Sequence, residues 1–395
     1  MIAMGARLPD LTYRRSLVGL GAFVVTACHP GPPAWCDAVP GTTRIIIDRP
    51  IASRRALRLR PIWEARPGPG GGLRGPSAIA VDSASGMLAI ADHVTGSIDV
   101  IAPIGTAVAH WSQRGRGPGQ LSFPAALDWT PDGALAVLDP DLRKIVRLDS
   151  AGRVVAEFPL APALMGNVPD WWVFLQGSDI VGVPSPRLMS TMPTRAIDMV
   201  LLRARSFGAG IDTIIAMAVW VSQGGGLSPS IVPGSAVPVA APLGDGLLAV
   251  GGDTPQFRIR ILGPDDQVLR VICQITPALP LSDGETRLAA ELGAAEPVSN
   301  LARIGRLFSD GEGRIWAQRD RVSGVYLQDR WFGPPGATFD VLDRSGAYLG
   351  EVRAPDDTRL AAAHGNTVIG LRSDSVGAVS VVAFWLAQPS VGPHR

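Results

Sequence analysis

"RGRGPGQLSFPAALDWTPDGALAVLDPDLRKIVRLDSAGRVVAEFPL" (114–160) decides the fold. Its opening glycines and arginines suggest a loop that cradles phosphate through backbone N–H groups. The four runs downstream of them change that reading. "AALDWT" meets the turn "PDG", "ALAVLD" meets "PDLR", "KIVRLD" meets "SAG", and "RVVAEFPL" closes the stretch. Each run is short, aliphatic or β-branched, and bounded by Asp, Gly and Pro turn chemistry. Four antiparallel strands in succession make one blade of a β-propeller.

The stretch also has an earlier copy, "WEARPGPGGGLRGPSAIAVD" (63–82). An offset of 48 superposes Trp63 on Trp111, Arg66 on Arg114, Leu73 on Leu121 and Pro76 on Pro124. After a slip of one residue, Asp92 falls on Asp139, Gly105 on Gly152 and Trp111 on Phe158. A strand-rich period of this length points to propeller blades. The glycine stretch therefore becomes the junction where an outer strand reverses into the next inner strand. Pro76 and Pro124 open inner strands where no ladder N–H is needed, and Arg66 and Arg114 are expected to bond loop carbonyls at the junction.

Extending the pattern gives an all-β, six-bladed propeller of four-stranded antiparallel blades over 43–390. The blades cover about 72–113, 120–160, 170–220, 237–276, 302–354 and 358–388. The last lacks an outer strand, which the N-terminal region supplies from 43–48 or 57–65 (43–66 overall), since closing the ring removes exposed edges. Long loops are expected at 184–196, 220–236 and 321–338. "SDGETRLAAELGAAEP" predicts a helix with Ser282 as N-cap, Glu285 three residues on, and Gly293 and Pro297 as stop signals.

Composition agrees. The 395 residues include 46 Gly and 35 Pro, spread without a short period, as many turns between short strands require. The net charge of +1 gives no electrostatic case for nucleic acid. Lys144 is the only lysine.

The N-terminus reads as an address. Arg14 and Arg15 precede an apolar run, Leu17–Val25, too short to span a bilayer and suited to a signal-peptide core. The paired arginines only partly match a twin-arginine signal. The run ends in "VVTAC" (24–28), which resembles a bacterial lipobox. That resemblance implies that 1–27 is removed, that Cys28 is lipidated, and that the protein is anchored to the bacterial membrane outside the cytoplasm. Two acyl signals suffice for stable anchoring. Residues 28–42 then form a flexible tether. Cys36 and Cys273 remain. In an oxidising compartment they can pair, but the favoured reading leaves Cys36 free in the tether and Cys273 as a small core residue.

Residues 114–158 resemble an NHL repeat: a Gly-Pro-Gly opening, a proline before the inner strand, Asp-Gly between the first two strands, and Asp ending the second. The resemblance is fair over 66–111 and 237–272 and weak elsewhere. The layout is similar to the six-bladed propeller lipoproteins of bacteria, which implies a fold and a location more than an activity.

Candidate chemistry is sparse. Asp92 and Asp139 could join a calcium site, but equivalent positions in neighbouring blades favour turn capping. Of the histidines His29, His93, His110, His364 and His394, none has metal-ligand spacing to another. NHL-containing amidating lyases use histidine-bound zinc, and lactonase-like propellers use converging acidic and amide ligands; neither set transfers residue by residue. The glycine runs at 68–72 and 223–227 lack the Lys-Ser/Thr of a P-loop. No GxSxG elbow is present. Trp171 and Trp172 face opposite ways on a strand, so one belongs to the core and the other is a candidate contact. The expectation is a monomeric, anchored binding or scaffold module for an envelope protein, glycan or small ligand, with no catalytic, cofactor or metal residue assigned. The alternative is a metal-dependent lyase or lactone hydrolase at the central channel, drawing on Asp92, His93, His110, Asp139, His364 and Asp374.

Overall fold

The computed structural model describes residues 36, 41–47, 55–112, 114–160, 169–174, 179–184, 195–205, 210–222, 230–231, 239–252, 256–274, 279–280, 282–291, 300–301, 304–319, 332 and 334–387. They are nearly all β. Two N-terminal strands, β1 (Thr43–Ile47) and β2 (Ala56–Ala65), precede the repeating units. The first unit is β3 (Pro76–Val81), β4 (Leu88–Asp92), β5 (Ser97–Ile101) and β6 (Ala107–Ser112). The second is β7 (Ala126–Trp129), β8 (Leu135–Asp139), β9 (Lys144–Leu148) and β10 (Val154–Pro159). The third has β11 (Pro169–Phe174), β12 (Ile180–Pro184), β13 (Arg195–Arg205), β14 (Gly210–Ser222) and the short β15 (Ser230–Ile231). The fourth is β16 (Val239–Gly244), β17 (Leu247–Gly251), β18 (Phe257–Leu262) and β19 (Val268–Gln274). A two-stranded pair, β20 (Leu279–Pro280) with β21 (Asn300–Leu301), flanks α1 (Asp283–Glu291). Then come β22 (Arg306–Ser309), β23 (Ile315–Arg319), β24 (Thr338–Leu342) and β25 (Tyr348–Arg353), and finally β26 (Thr358–His364), β27 (Thr367–Ser373) and β28 (Val379–Ala387).

Within each unit the strands pair antiparallel in chain order. The first strands β3, β7, β11, β16, β22 and β26 touch in that order, and β26 returns to β3. They surround a central channel, and the chain is an all-β propeller. The second strands β4, "LAIAD", and β8, "LAVLD", are buried from end to end, because a neighbouring sheet covers each face. That explains their unbroken apolar runs. Outer strand β10 is exposed or half-buried along its length and mixes Glu157 with valines.

The copies found in the sequence meet at unit boundaries. The Trp63 ring packs on Gly105, where a Cβ would come within 2.7 Å of it, and the Trp111 ring packs on Gly152, within 2.5 Å. Both glycines have positive φ, +88 and +75. Trp63 Nε1 also donates to Pro103 O at 2.8 Å. Arg114 donates to the Val94 carbonyl, as expected of a junction arginine. Arg66 instead faces Asp374, at 4.0 Å.

The two N-terminal strands divide their work. β2 pairs antiparallel with β28, from Arg58↔Ala387 to Ala65↔Val381, and completes the last unit. Its first residues, Ala56 and Leu57, pair parallel with Glu351 and Val352 of β25, so one strand laces two units. β1 does not belong to the last blade, where the span 43–66 would put it. It adds a fifth strand to the fourth unit, parallel to β19, with Thr43↔Arg270 through Ile47↔Gln274.

The favoured reading of the cysteines also changes. Cys36 and Cys273 form a disulfide with Cα atoms 6.0 Å apart. Both are buried, with Val271 beside them. The tether is therefore fixed to the fourth unit at Cys36, next to the β1 pairing. Sequence spacing offered no hint, since the bridge spans 237 positions.

Helix α1 begins as expected: Thr286 N donates to Ser282 O at 2.8 Å, which makes Ser282 the residue before the first turn. Gly293 and Pro297 lie outside the described residues, as do the N-terminal address through Cys28, most of the 184–196, 220–236 and 321–338 loops, and the side chains of Trp171 and Trp172.

Cys36→Ser is expected to lower stability, because the bridge closes a very long loop in the unfolded chain. The chain-entropy relation gives an upper figure of about 5 kcal/mol. Thermal denaturation with and without reductant checks this: reductant should lower the wild-type midpoint and leave the variant's unchanged.

Candidate functional site

The two carboxylates most suggestive in sequence are already engaged. Asp92 Oδ2 accepts N–H bonds from Arg74 and Gly75 at 2.6 and 3.2 Å, and its Oδ1 accepts from Val94 and Thr95 at 3.0 and 3.2 Å. Asp139 Oδ2 accepts from Ser122 and Phe123 at 2.6 and 3.0 Å, and its Oδ1 from Leu142 at 3.0 Å. Arg74 and Ser122 occupy equivalent places in neighbouring units, so the two clasps repeat. Each ties the loop leading into its unit to the turn after the second strand. A carboxylate holding three or four N–H groups is a structural anchor.

Among the described residues the histidines do not converge. His93 Nδ1 lies 2.7 Å from Gly75 O, and its ring packs 5.2 Å from Phe123, which places it at the first junction. His110 Nδ1 lies 2.9 Å from Asp99 Oδ1, within β5 and β6. Burial pushes the Asp99 carboxyl above its usual range, opposed by the His110 bond. Asp374 caps its own turn, accepting from Val376 and Ala378. Among the described residues no three His, Cys, Asp or Glu side chains are grouped as a metal would require. The carboxylates and histidines named above do not fit a shared metal centre.

The first strands of the units line a channel of about 700 Å³. Strand register orders its wall into rungs. On one rung Ala78 pairs with Ala91, Ala126 with Leu138, Val239 with Gly251 and Arg306 with Gln318. Arg306 thus stands where the first two units have alanine and the fourth has valine. Two residues further along, Asp128 pairs with Ala136, on the rung of Ala80, Ala241 and Phe308. Small side chains keep this wall open.

Arg306 is buried, and its bonds among the described residues all go to neutral oxygens. Its Nη1 donates to Leu360 O at 2.6 Å and Phe332 O at 3.4 Å, and its Nη2 to Ala361 O at 2.7 Å. The guanidinium also lies 5.0 Å from the Phe308 ring centre and 5.5 Å from that of Phe332. Desolvation lowers its pKa to about 9. Across the cycle, burial raises Asp128 to about 7, opposed only by a hydrogen bond from the Trp129 backbone. Trp129, next on the strand, faces the other side of the sheet and packs against the cluster of Ala78, Leu127 and Val137. At the far ends of the first strands the mouth carries Asp82, Asp245, Glu312 and His364. There Arg344 pairs with Asp245, and His364 lies against Gly311.

Neither Arg306 nor Asp128 stood out in the sequence. The signal was there: once "RLFS" is aligned on "ALDW", an arginine replaces an inward alanine. The weak repeat in the fifth unit hid that alignment.

No protein-family model matches the chain, and no curated protein matches it in sequence. Solved structures share its fold. A member of the DUF4221 family from Bacteroides vulgatus is 10% identical, covering 85% of this chain and 100% of that one, with a TM-score of 0.51. A gluconolactonase from Xanthomonas campestris is 12% identical, covering 85% and 92%, with a TM-score of 0.46. A catalytically inactive virginiamycin B lyase from Staphylococcus aureus with quinupristin is 13% identical, covering 84% and 100%, with a TM-score of 0.42. The similarity is one of fold.

Two outcomes are expected of this arrangement. Asp139→Ala strands buried N–H groups and should cost on the order of 3 kcal/mol, with calcium giving the wild type no added thermal stability. Asp128 has a folded pKa raised above its unfolded value of 3.8. Its contribution is therefore most favourable below pH 4 and is lost as pH rises through about 7. Asp128→Asn removes that loss, so the variant should gain a few kcal/mol over wild type at pH 8, roughly 1.4 per unit of pKa shift. Denaturant titrations should show the gain vanishing near pH 4.

Proposed function

We propose that the chain is an exported, lipid-anchored, six-bladed propeller that binds a small ligand in its central channel. The channel carries the reading. It is open, with alanines recurring along its wall and a few polar groups, as small-molecule sites are, while Asp92, Asp139 and His110 are committed to bonds that hold the fold. The closed cycle of six first strands supports the blade count.

Anchoring through Cys28 rests on the arginine pair, the short apolar run and "VVTAC". The buried Cys36–Cys273 bridge suits an oxidising compartment. In this reading the bound molecule is met in the cell envelope, and the protein delivers, senses or sequesters it.

Cys28→Ser should shift the protein from the membrane fraction to the soluble fraction on ultracentrifugation; continued membrane association overturns the lipid anchor. Ligand binding is tested on the detergent-solubilised full chain by a thermal-shift screen of envelope metabolites. Stoichiometric metal in the purified protein would favour a metal-dependent lyase or lactone hydrolase instead.

A further inference from the structure

The channel wall carries two ionisable side chains that its geometry does not need. β7 and β22 are three places apart in the cycle of six first strands, whichever way it is followed. Asp128 and Arg306 therefore project from opposite walls. They sit two rungs apart, or about 7 Å along the strand direction.

Each lacks the other as a partner. Burial alone accounts for the shift of Arg306, and no carboxylate is among its contacts with the described residues. Its neighbours are three carbonyls and two aromatic rings. A guanidinium has five N–H donors in a planar fork, so the three carbonyl bonds leave donors over. Among the described residues no cation lies beside Asp128. A buried cation without a counter-charge and a half-buried, desolvated carboxyl without a cation both destabilise a fold. Ala78, Ala126 and Val239 in place of Arg306, and Ala80 and Ala241 in place of Asp128, show that the propeller closes without them. Unpaired groups of opposite character facing one open channel define the ends of a ligand.

We propose that the channel binds a small organic anion, its carboxylate held by Arg306 and its other, hydroxyl-bearing end held by Asp128. This rests on the reading of the channel as a ligand site and gives that ligand a chemical class. The planar fork of Arg306 suits a carboxylate, and desolvation between Phe308 and Phe332 strengthens the contact. The Asp128 carboxyl accepts the hydrogen bond of the hydroxyl.

The test compares ω-hydroxyalkanoates of four to ten carbons with their primary amides, by isothermal titration calorimetry on the solubilised full chain. At least one acid should bind about tenfold or more tightly than its amide, the gap expected of a charge-assisted contact. Arg306→Gln should erase that preference. Asp128→Asn should keep the preference for acid over amide while weakening ω-hydroxy acids toward the plain acids of equal length. The wild-type comparison stands even where Arg306→Gln does not fold. Equal binding of acids and amides overturns the anion assignment and leaves the channel reading intact. Binding of neither overturns both. A folded Arg306→Gln that still prefers acids also overturns the assignment.

Discussion

A single carboxylate at the end of the second strand sets the geometry of the first two units. Asp92 and Asp139 are 2% and 0% exposed, and each gathers N–H groups from two separate loops. One loop leads the chain inward to the channel and the other turns it toward the outer strands. Holding both on one side chain fixes where the inner strand starts, and hence where the wall of the channel lies. The burial of these carboxylates is tolerable because their oxygens are saturated with donors. Ser77 extends the stitching between units, donating to Pro124 O at 2.5 Å across the boundary. The Trp–Gly contacts continue it on the outer side, where a flat ring needs a neighbour with no side chain.

The fourth, fifth and sixth units lack that aspartate and are held otherwise. Arg203, 2% exposed, reaches from β13 to the turn before β19, donating to Pro264 O at 2.7 Å and pairing with Asp266 at 2.8 Å. Ser309 donates to the Pro242 carbonyl. Ile272 and Ile45 take the place of the tryptophan against Gly346. Arg306 bonds carbonyls of the neighbouring first strand. The boundaries are thus met by different chemistry in each case, and the repeat weakens in sequence where its contacts change. Ring closure depends on residues far apart: β2 meets β28 at the end of the chain, and Cys36 reaches Cys273. Such contacts form only after long loops have closed, so the N-terminal segment locks a ring that the local hairpins have already outlined.

That division explains which features the sequence revealed. The blades of 72–113 and 120–160 were legible because Trp63, Gly105, Asp92 and their copies recur at nearly constant spacing, and each spacing encodes a local contact. The placement of β1 was not legible. "TRIII" and "LRLRPIWEA" are both plausible edge strands, and only three-dimensional proximity decides which edge each takes. The disulfide was missed for the same reason. Arg306 and Asp128 were missed for another: a channel has no sequence motif, and a polar residue on its wall is visible only as an exception to its rung.

The wall itself shows how such a fold makes room for a site. Ala78, Ala80, Ala126, Ala240, Ala241, Ala361 and Ala363 are all buried or nearly so, yet none is large enough to fill the axis. Larger side chains there would convert the channel into core and add apolar burial on the order of 0.8 kcal/mol per methylene. The chain instead keeps alanines, sets the aromatic side chains Phe308 and Phe332 beside an arginine with no counter-charge among the described residues, and leaves a desolvated carboxyl across from it. Every one of these choices lowers stability relative to a filled centre. The disulfide, the lacing by β2 and the saturated aspartates supply rigidity at the periphery, which is what allows the centre to remain open and polar.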